Sequence, residues 1–160
     1  MMDEGSAAVI TCSTRAAAGH YPDRSGPIVV DSLRGWGFAV DDAVVVADGP
    51  AVEAALRAAI SSDAVLVVTT GGTGLTPTDG TPEATQRVVD RLIPGIAEAV
   101  RAAGMDSGVS SAILSRGISG VAGRTLVVNL PGSMGGVSSG LAVLEPIIEH
   151  ALSQIQGGDH

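Results

Sequence analysis

Short apolar runs recur along this chain, and between them hydrophobic positions fall at helical spacing. Ala7–Ser13 (AAVITCS), Ala64–Thr70 and Thr125–Asn129 are continuous and rich in β-branched residues, the pattern of strands covered on both faces. A further strand is predicted within Phe38–Ala47. Thr14–Ser25 reads as a polar loop. Pro27 then suits the first turn of a helix reaching Trp36, with Ser25 or Gly26 as its cap; Val29, Leu33 and Trp36 form its stripe and Gly37 ends it. Asp48-Gly49-Pro50 opens a short Ala-rich helix to about Ile60. Thr81, Pro82 and Glu83 predict the cap, first position and dipole partner of another helix, with Ala84, Val88 and Leu92 as its stripe. Pro94-Gly95 breaks that helix, Ile96–Ala103 starts the next, and Val109–Ser115 forms a short one. From Gly135 to Ile155 one side carries Val137, Leu141, Leu144, Ile148 and Leu152, and Pro146 is predicted to kink or divide the helix. The tail, Gln156–His160, is expected to fray.

Strands alternating with helices indicate the α/β class: a three-layer fold with a mostly parallel sheet and helices on both faces. Residues 1–160 are expected to form a single domain with its core at about 7–155. Hydrophobic residues make up 45% of the chain but aromatics only 2%, so the core must be aliphatic. A net charge of −8 repels phosphates at long range and argues against nucleic acid or an anionic membrane as partner. No apolar run is long enough to span a bilayer. Asp3 and Glu4 stand where an export signal needs positive charge, so a cytoplasmic location is expected. All nine basic residues are arginines, which excludes a P-loop lysine, a Schiff-base lysine and a pyridoxal-phosphate site. One cysteine and three histidines without an HExxH pattern leave no internal disulfide, cysteine-rich zinc site or hydrolytic zinc motif.

In an open α/β sheet, ligands bind beyond the carboxyl ends of the strands. Four polar segments fall there: the loop after Ser13, Asp48, Gly71–Asp79, and Asn129–Ser133. Thr69-Thr70-Gly71-Gly72-Thr73-Gly74 offers backbone N–H groups that no Cβ obstructs, which suits a phosphate, although a glycine-rich turn alone looks the same. Asp48 and Asp79 read either as turn formers or as ligands of Mg²⁺, the natural cation between a carboxylate and a phosphate. Ser133, in Leu130-Pro131-Gly132-Ser133, can cap the last helix or meet an oxygen-rich ligand. Asp23 and Ser25 suit a surface turn and an N-cap. Cys12 and Trp36 read as core. Arg116 suits either a solvated loop charge or a phosphate clamp, and the pattern leaves both open.

Taken together these segments resemble the Mog/MoaB family of molybdenum-cofactor proteins, from Val9 to Leu152. The likeness runs through Asp23-Arg24-Ser25-Gly26-Pro27, the Thr69–Gly74 block, Asp79-Gly80-Thr81-Pro82-Glu83-Ala84, Ser115-Arg116 and Asn129–Ser133. It implies a homotrimer that uses Mg²⁺ and ATP to adenylylate molybdopterin, releasing pyrophosphate. It implies Asp48 and Asp79 as the carboxylates tied to catalysis and metal. The expected ligand-binding residues are Ser13, Asp23, Ser25, Gly71, Gly72, Thr73, Gly74, Asn129, Pro131, Gly132 and Ser133. An in-line attack on the α-phosphorus suits such a set, because it needs positioning and charge neutralisation and no covalent nucleophile.

The sequence also departs from the family pattern. Thr78 stands where arginine is common, Met134 where proline follows the LPGS turn, Thr14 where an acid is frequent, and Gly49 where an acid usually follows Asp48. Two other readings stand beside the enzyme: a trimeric molybdopterin carrier or scaffold without efficient transfer, and a relative of the N-terminal domain of competence-damage-inducible proteins.

Overall fold

The computed structural model describes residues 5–159. Asp3 and Glu4, on which the expected lack of an export signal rests, and His160 of the tail lie outside the described residues. In chain order the elements are β1 (Ser6–Cys12), α1 (Thr14–Ala17), α2 (Ser25–Gly35), β2 (Ala39–Val40), β3 (Val44–Val46), α3 (Pro50–Ser61) and β4 (Leu66–Thr70). There follow α4 (Thr81–Val88), β5 (Arg91–Leu92), α5 (Pro94–Asp106), a 3-10 turn (Ser110–Leu114), β6 (Ser119–Ala122), β7 (Thr125–Leu130), α6 (Met134–Leu144) and α7 (Ile148–Ile155). One sheet runs in the order β2-β1-β4-β7-β6-β5, with β3 also paired to β1. β1, β2, β3, β4 and β7 are parallel neighbours, and only the β5–β6 and β6–β7 pairings are antiparallel.

Two aliphatic cores make the three layers. On one face Val9, Val68 and Val128 pack with Leu33 of α2, Val100 of α5, and Leu144 and Leu152 of α6 and α7. On the other, Ile10, Val67 and Val127 pack with Val52 and Leu56 of α3 and Ala84 of α4. Successive strand residues thus serve opposite faces, which is why the central strands read as unbroken apolar runs. Trp36 is half-buried against the first core, as its spacing suggested. No helix among the described residues is long and apolar enough to cross a membrane.

Several expectations need correction. The polar stretch after β1 contains α1, a single turn capped by Ser13, whose Oγ accepts the Ala16 N–H at 3.2 Å. Phe38–Ala47 is two strands: β1 advances from Ala7 to Ile10 while its partners advance from Val40 to Val44, so one extra residue bulges at the exposed Asp41-Asp42. The helix expected to include Leu92 stops at Val88, because Val89 is extended and Asp90 donates to the Val121 carbonyl at 2.7 Å. Leu92 then pairs with Gly120 in an edge strand. Thr81 is the first helical residue and not the cap. Gly80 holds that position, and the Thr81 N–H donates to the Gly72 carbonyl at 3.1 Å. The last helical region is divided around Pro146 as predicted.

Candidate functional site

Because β1, β3, β4 and β7 are parallel, the segments after Cys12, Val46, Thr70 and Leu130 all emerge at one edge of the sheet. They enclose two adjoining clefts of about 920 and 860 Å³. Gly71, Gly72, Asp79, Gly132 and Ser133 line both, so the clefts share a wall made of the glycine loop and the turn after β7. Ser13, Asp23, Ser25 and Asp48 open on the first cleft; Thr73, Gly74 and Pro131 open on the second.

The glycine loop is built to come close to other backbone. Gly71 has φ +84°, and a Cβ there would run into the Cys12 carbonyl; Gly72 has φ +67°, and a Cβ there would run into Thr81 Oγ1. Only glycine takes this left-handed path without strain. The Gly71 N–H donates to the Leu130 carbonyl at 3.1 Å, and Gly132 would bring a Cβ within 3.2 Å of Gly71 Cα. The two loops are therefore fixed against each other.

Asp48 is held from below. Thr14 donates to its Oδ2 through Oγ1 at 2.9 Å and through N at 3.3 Å, and the Asp48 N–H returns a bond to Thr14 Oγ1 at 3.1 Å. Asp48 Oδ1 is buried and makes no hydrogen bond among the described residues. A buried oxygen without a partner is costly unless a ligand or water supplies one. Asp79 bends back into its own loop, its Oδ2 accepting the Thr76 N–H at 3.1 Å. No three His, Cys, Asp or Glu side chains cluster as a metal site among the described residues. The donor set nonetheless fits Mg²⁺, which commonly takes one or two carboxylates and fills its shell with water and substrate phosphate oxygens.

Other expected residues serve the scaffold first. Asp23 accepts Thr11 Oγ1 at 2.8 Å and the Gly26 N–H at 3.1 Å, so it supplies the side-chain cap at the start of α2. Ser25 is buried and bonds Thr70 Oγ1 at 2.9 Å. Ser133 caps α6, accepting the Gly136 N–H at 3.0 Å. Asn129 reaches neither cleft: it is buried, donates to Thr69 Oγ1 and Thr85 Oγ1, and accepts the Ile118 N–H. Cys12 is buried at the floor of the first cleft, where burial and then the charge of Asp48 push its thiol up to about 11. It stays protonated and unreactive near neutrality.

Arg15 and Arg24 line the first cleft, and neither side chain makes an ion pair or hydrogen bond within the described residues. Arg24 stands within the Asp23–Pro27 segment that the sequence singled out, whereas Arg15 had no sign beyond its place after β1. Arg116 lines neither cleft; its partly exposed guanidinium is bound to Gly74, Asp79 and Glu83. Two of the four departures, Thr78 and Met134, are exposed on the first cleft.

Residues 8–150 match the model of a family described as a probable molybdopterin binding domain. The chain is 44% identical over 155 residues to a molybdenum cofactor biosynthesis bifunctional protein of Synechococcus elongatus, covering 96% of this chain and 48% of that one. It spans about half the length of two such bifunctional relatives. It is 36% identical to the molybdopterin adenylyltransferase of Pyrococcus furiosus, covering 90% and 87% of the two chains. A solved structure of the molybdopterin biosynthesis Mog protein from Mycobacterium ulcerans superposes with a TM-score of 0.91 at 51% identity, over 95% of this chain and 99% of that one.

Proposed function

The chain belongs to the family of molybdopterin-binding domains, and from that premise we propose that it acts in molybdenum cofactor biosynthesis as a molybdopterin adenylyltransferase. The phosphate oxygen of molybdopterin attacks the α-phosphorus of ATP; a new P–O bond forms, the bond to the β-phosphate breaks, and pyrophosphate leaves. The observation that carries this reading is the pair of clefts with a common wall of glycine loop, Asp79 and Ser133. Two substrates held on either side of one wall can meet over it, which is what positioning catalysis requires.

Each residue has a role that its surroundings suit. The N–H groups of Gly72, Thr73 and Gly74 donate to phosphate oxygens. Arg15 and Arg24 supply the positive charge that Thr78 does not. Asp48 Oδ1 and Asp79 orient Mg²⁺ when it is bound, and the ion's contribution is to neutralise charge on the transferring phosphate. Ser13, Asp23 and Ser25 fix the walls from which ligand is bound. The protein is a homotrimer in this reading and works in the cytoplasm. The same pocket without transfer would make a carrier; the orphaned Asp48 oxygen favours the enzyme, since pterin binding alone gives no reason to bury it unpartnered.

Asp79→Asn tests the assignment. Pyrophosphate release from ATP and molybdopterin should fall by about 10²-fold or more, the usual loss on removing one preorganised electrostatic group, while pterin binding and mass by light scattering stay unchanged. Near-normal release with a lowered melting temperature would mean that Asp79 is only a turn former.

A further inference from the structure

Arg116 precedes Gly117 in the irregular segment between the 3-10 turn and β6, outside any helix or strand. Its backbone N–H donates to the Thr73 carbonyl at 2.8 Å. Its guanidinium then reaches three residues in different directions: Nε donates to the Gly74 carbonyl at 2.9 Å, Nη2 to the Asp79 carbonyl at 3.0 Å, and Nη1 to both Glu83 oxygens at 2.9 Å. Gly74 and Asp79 bracket the exposed stretch Leu75–Thr78, so one planar group joins the two ends of that loop. Glu83 lies in the first turn of α4 and fixes the guanidinium to the helix. The Glu83 carboxylate raises the basicity of Arg116.

The segment carrying Arg116 is held in turn. Arg101 of α5 donates to the Ser115 and Gly117 carbonyls at 3.2 and 3.0 Å, and Ser115 Oγ donates to Thr73 Oγ1 at 3.2 Å. A loop of this length with exposed Leu75, Thr76, Pro77 and Thr78 has few buried contacts to define its shape. The hydrogen bonds of Arg116 replace them.

We propose that Arg116, anchored by Glu83, is a positioning residue for the reaction: it sets the span from Gly74 to Asp79 and thereby the place of the Asp79 carboxylate, without touching substrate. This rests on the adenylyltransferase reading above. A lysine could pair with Glu83 but has no planar fork to reach the two carbonyls as well.

The test is steady-state pyrophosphate release from ATP and molybdopterin by the wild type, Arg116→Ala, Arg116→Lys and Glu83→Gln. For Arg116→Ala, kcat should fall about 10²-fold, the scale of a misplacement near 1 Å, with KM for both substrates held within a few-fold. Millimolar guanidinium, well below denaturing levels, should restore part of kcat, and ammonium should not. Arg116→Lys should remain impaired, and Glu83→Gln should show a smaller fall in kcat with KM again held. A raised KM at unchanged kcat would make Arg116 a phosphate clamp and overturn the proposal. So would an unchanged kcat accompanied only by a lower melting temperature. If Arg116→Ala does not fold, Glu83→Gln decides, since Glu83 is half exposed; an unchanged kcat there overturns the anchor. A wild type that binds molybdopterin but releases no pyrophosphate would instead defeat the adenylyltransferase reading, which the control shows separately.

Discussion

Ser133 is the residue at which capping and ligand binding make opposite demands. Its Oγ accepts the Gly136 N–H, so one lone pair is used, while its hydroxyl donates to no partner among the described residues. Ser133→Ala should therefore cost about 1 kcal/mol of folding stability, the usual loss of an N-cap, and weaken pterin binding by less than that. Thermal melting and calorimetric titration on the same variant separate the two. A tenfold loss of affinity at unchanged melting temperature would reverse the assignment and make Ser133 a ligand group first. The same double duty explains what the sequence could not disclose about single side chains. Asp23, Ser25 and Asn129 belong to motifs at the right strand ends, yet their polar atoms are taken up by Thr11, Gly26, Thr70, Thr69, Thr85 and Ile118. A motif fixes where a residue lies along the chain. Which atom faces the cleft depends on neighbours brought from 40 or more positions away, as in the Ser25–Thr70 and Asn129–Thr85 bonds.

Among the elements, those dictated by local chemistry were legible and those dictated by pairing were not. β1, β4 and β7 could be read because both faces of each are buried, which writes an unbroken apolar run into the sequence. The break at Pro146 was legible because proline removes a donor whatever surrounds it. β5 and β6 were not, since Arg-Leu and Ser-Gly-Val-Ala carry no strand pattern and are strands only by pairing, β6 against β7 and β5 against β6. Gly120 shows how narrow that pairing is. A Cβ there would lie 2.5 Å from the Arg91 carbonyl oxygen and 3.0 Å from Val89 Cβ. Backbone cannot yield as a side-chain tip can, so Gly120→Val should destabilise the protein by about 1–3 kcal/mol, the range for overpacking. Hydrogen exchange should quicken at the Asp90 and Ile93 amides, which donate to Val121 and Ser119, and stay slow in β4. Unchanged stability and protection would mean that the edge moves aside freely and that β5 contributes little.

The molecule as a whole carries a charge of −8, while the substrates proposed for it are themselves polyanions. Its long-range field therefore opposes their approach, and the attraction must come from groups acting at contact distance: Arg15, Arg24, the glycine-loop amides and bound Mg²⁺. Salt acts unequally on these two contributions. Exposed charges separated by more than about 10 Å are largely screened at 0.1 M ionic strength, whereas contacts inside a cleft are screened much less. At fixed free Mg²⁺, the association rate of a nucleotide should rise as monovalent salt increases from low levels to about 0.1 M and then level off. A protein that steers phosphates by net positive charge shows the opposite slope. The double variant Arg15→Gln/Arg24→Gln should bind nucleotide roughly tenfold more weakly, equivalent to about 1.4 kcal/mol. Its association rate should still rise with salt, because the distant charges are untouched. Stopped-flow measurement on both proteins checks each part. A wild-type rate that falls with salt from the outset would show the two arginines outweighing the rest of the surface, and a double variant with unchanged affinity would remove them from the phosphate site.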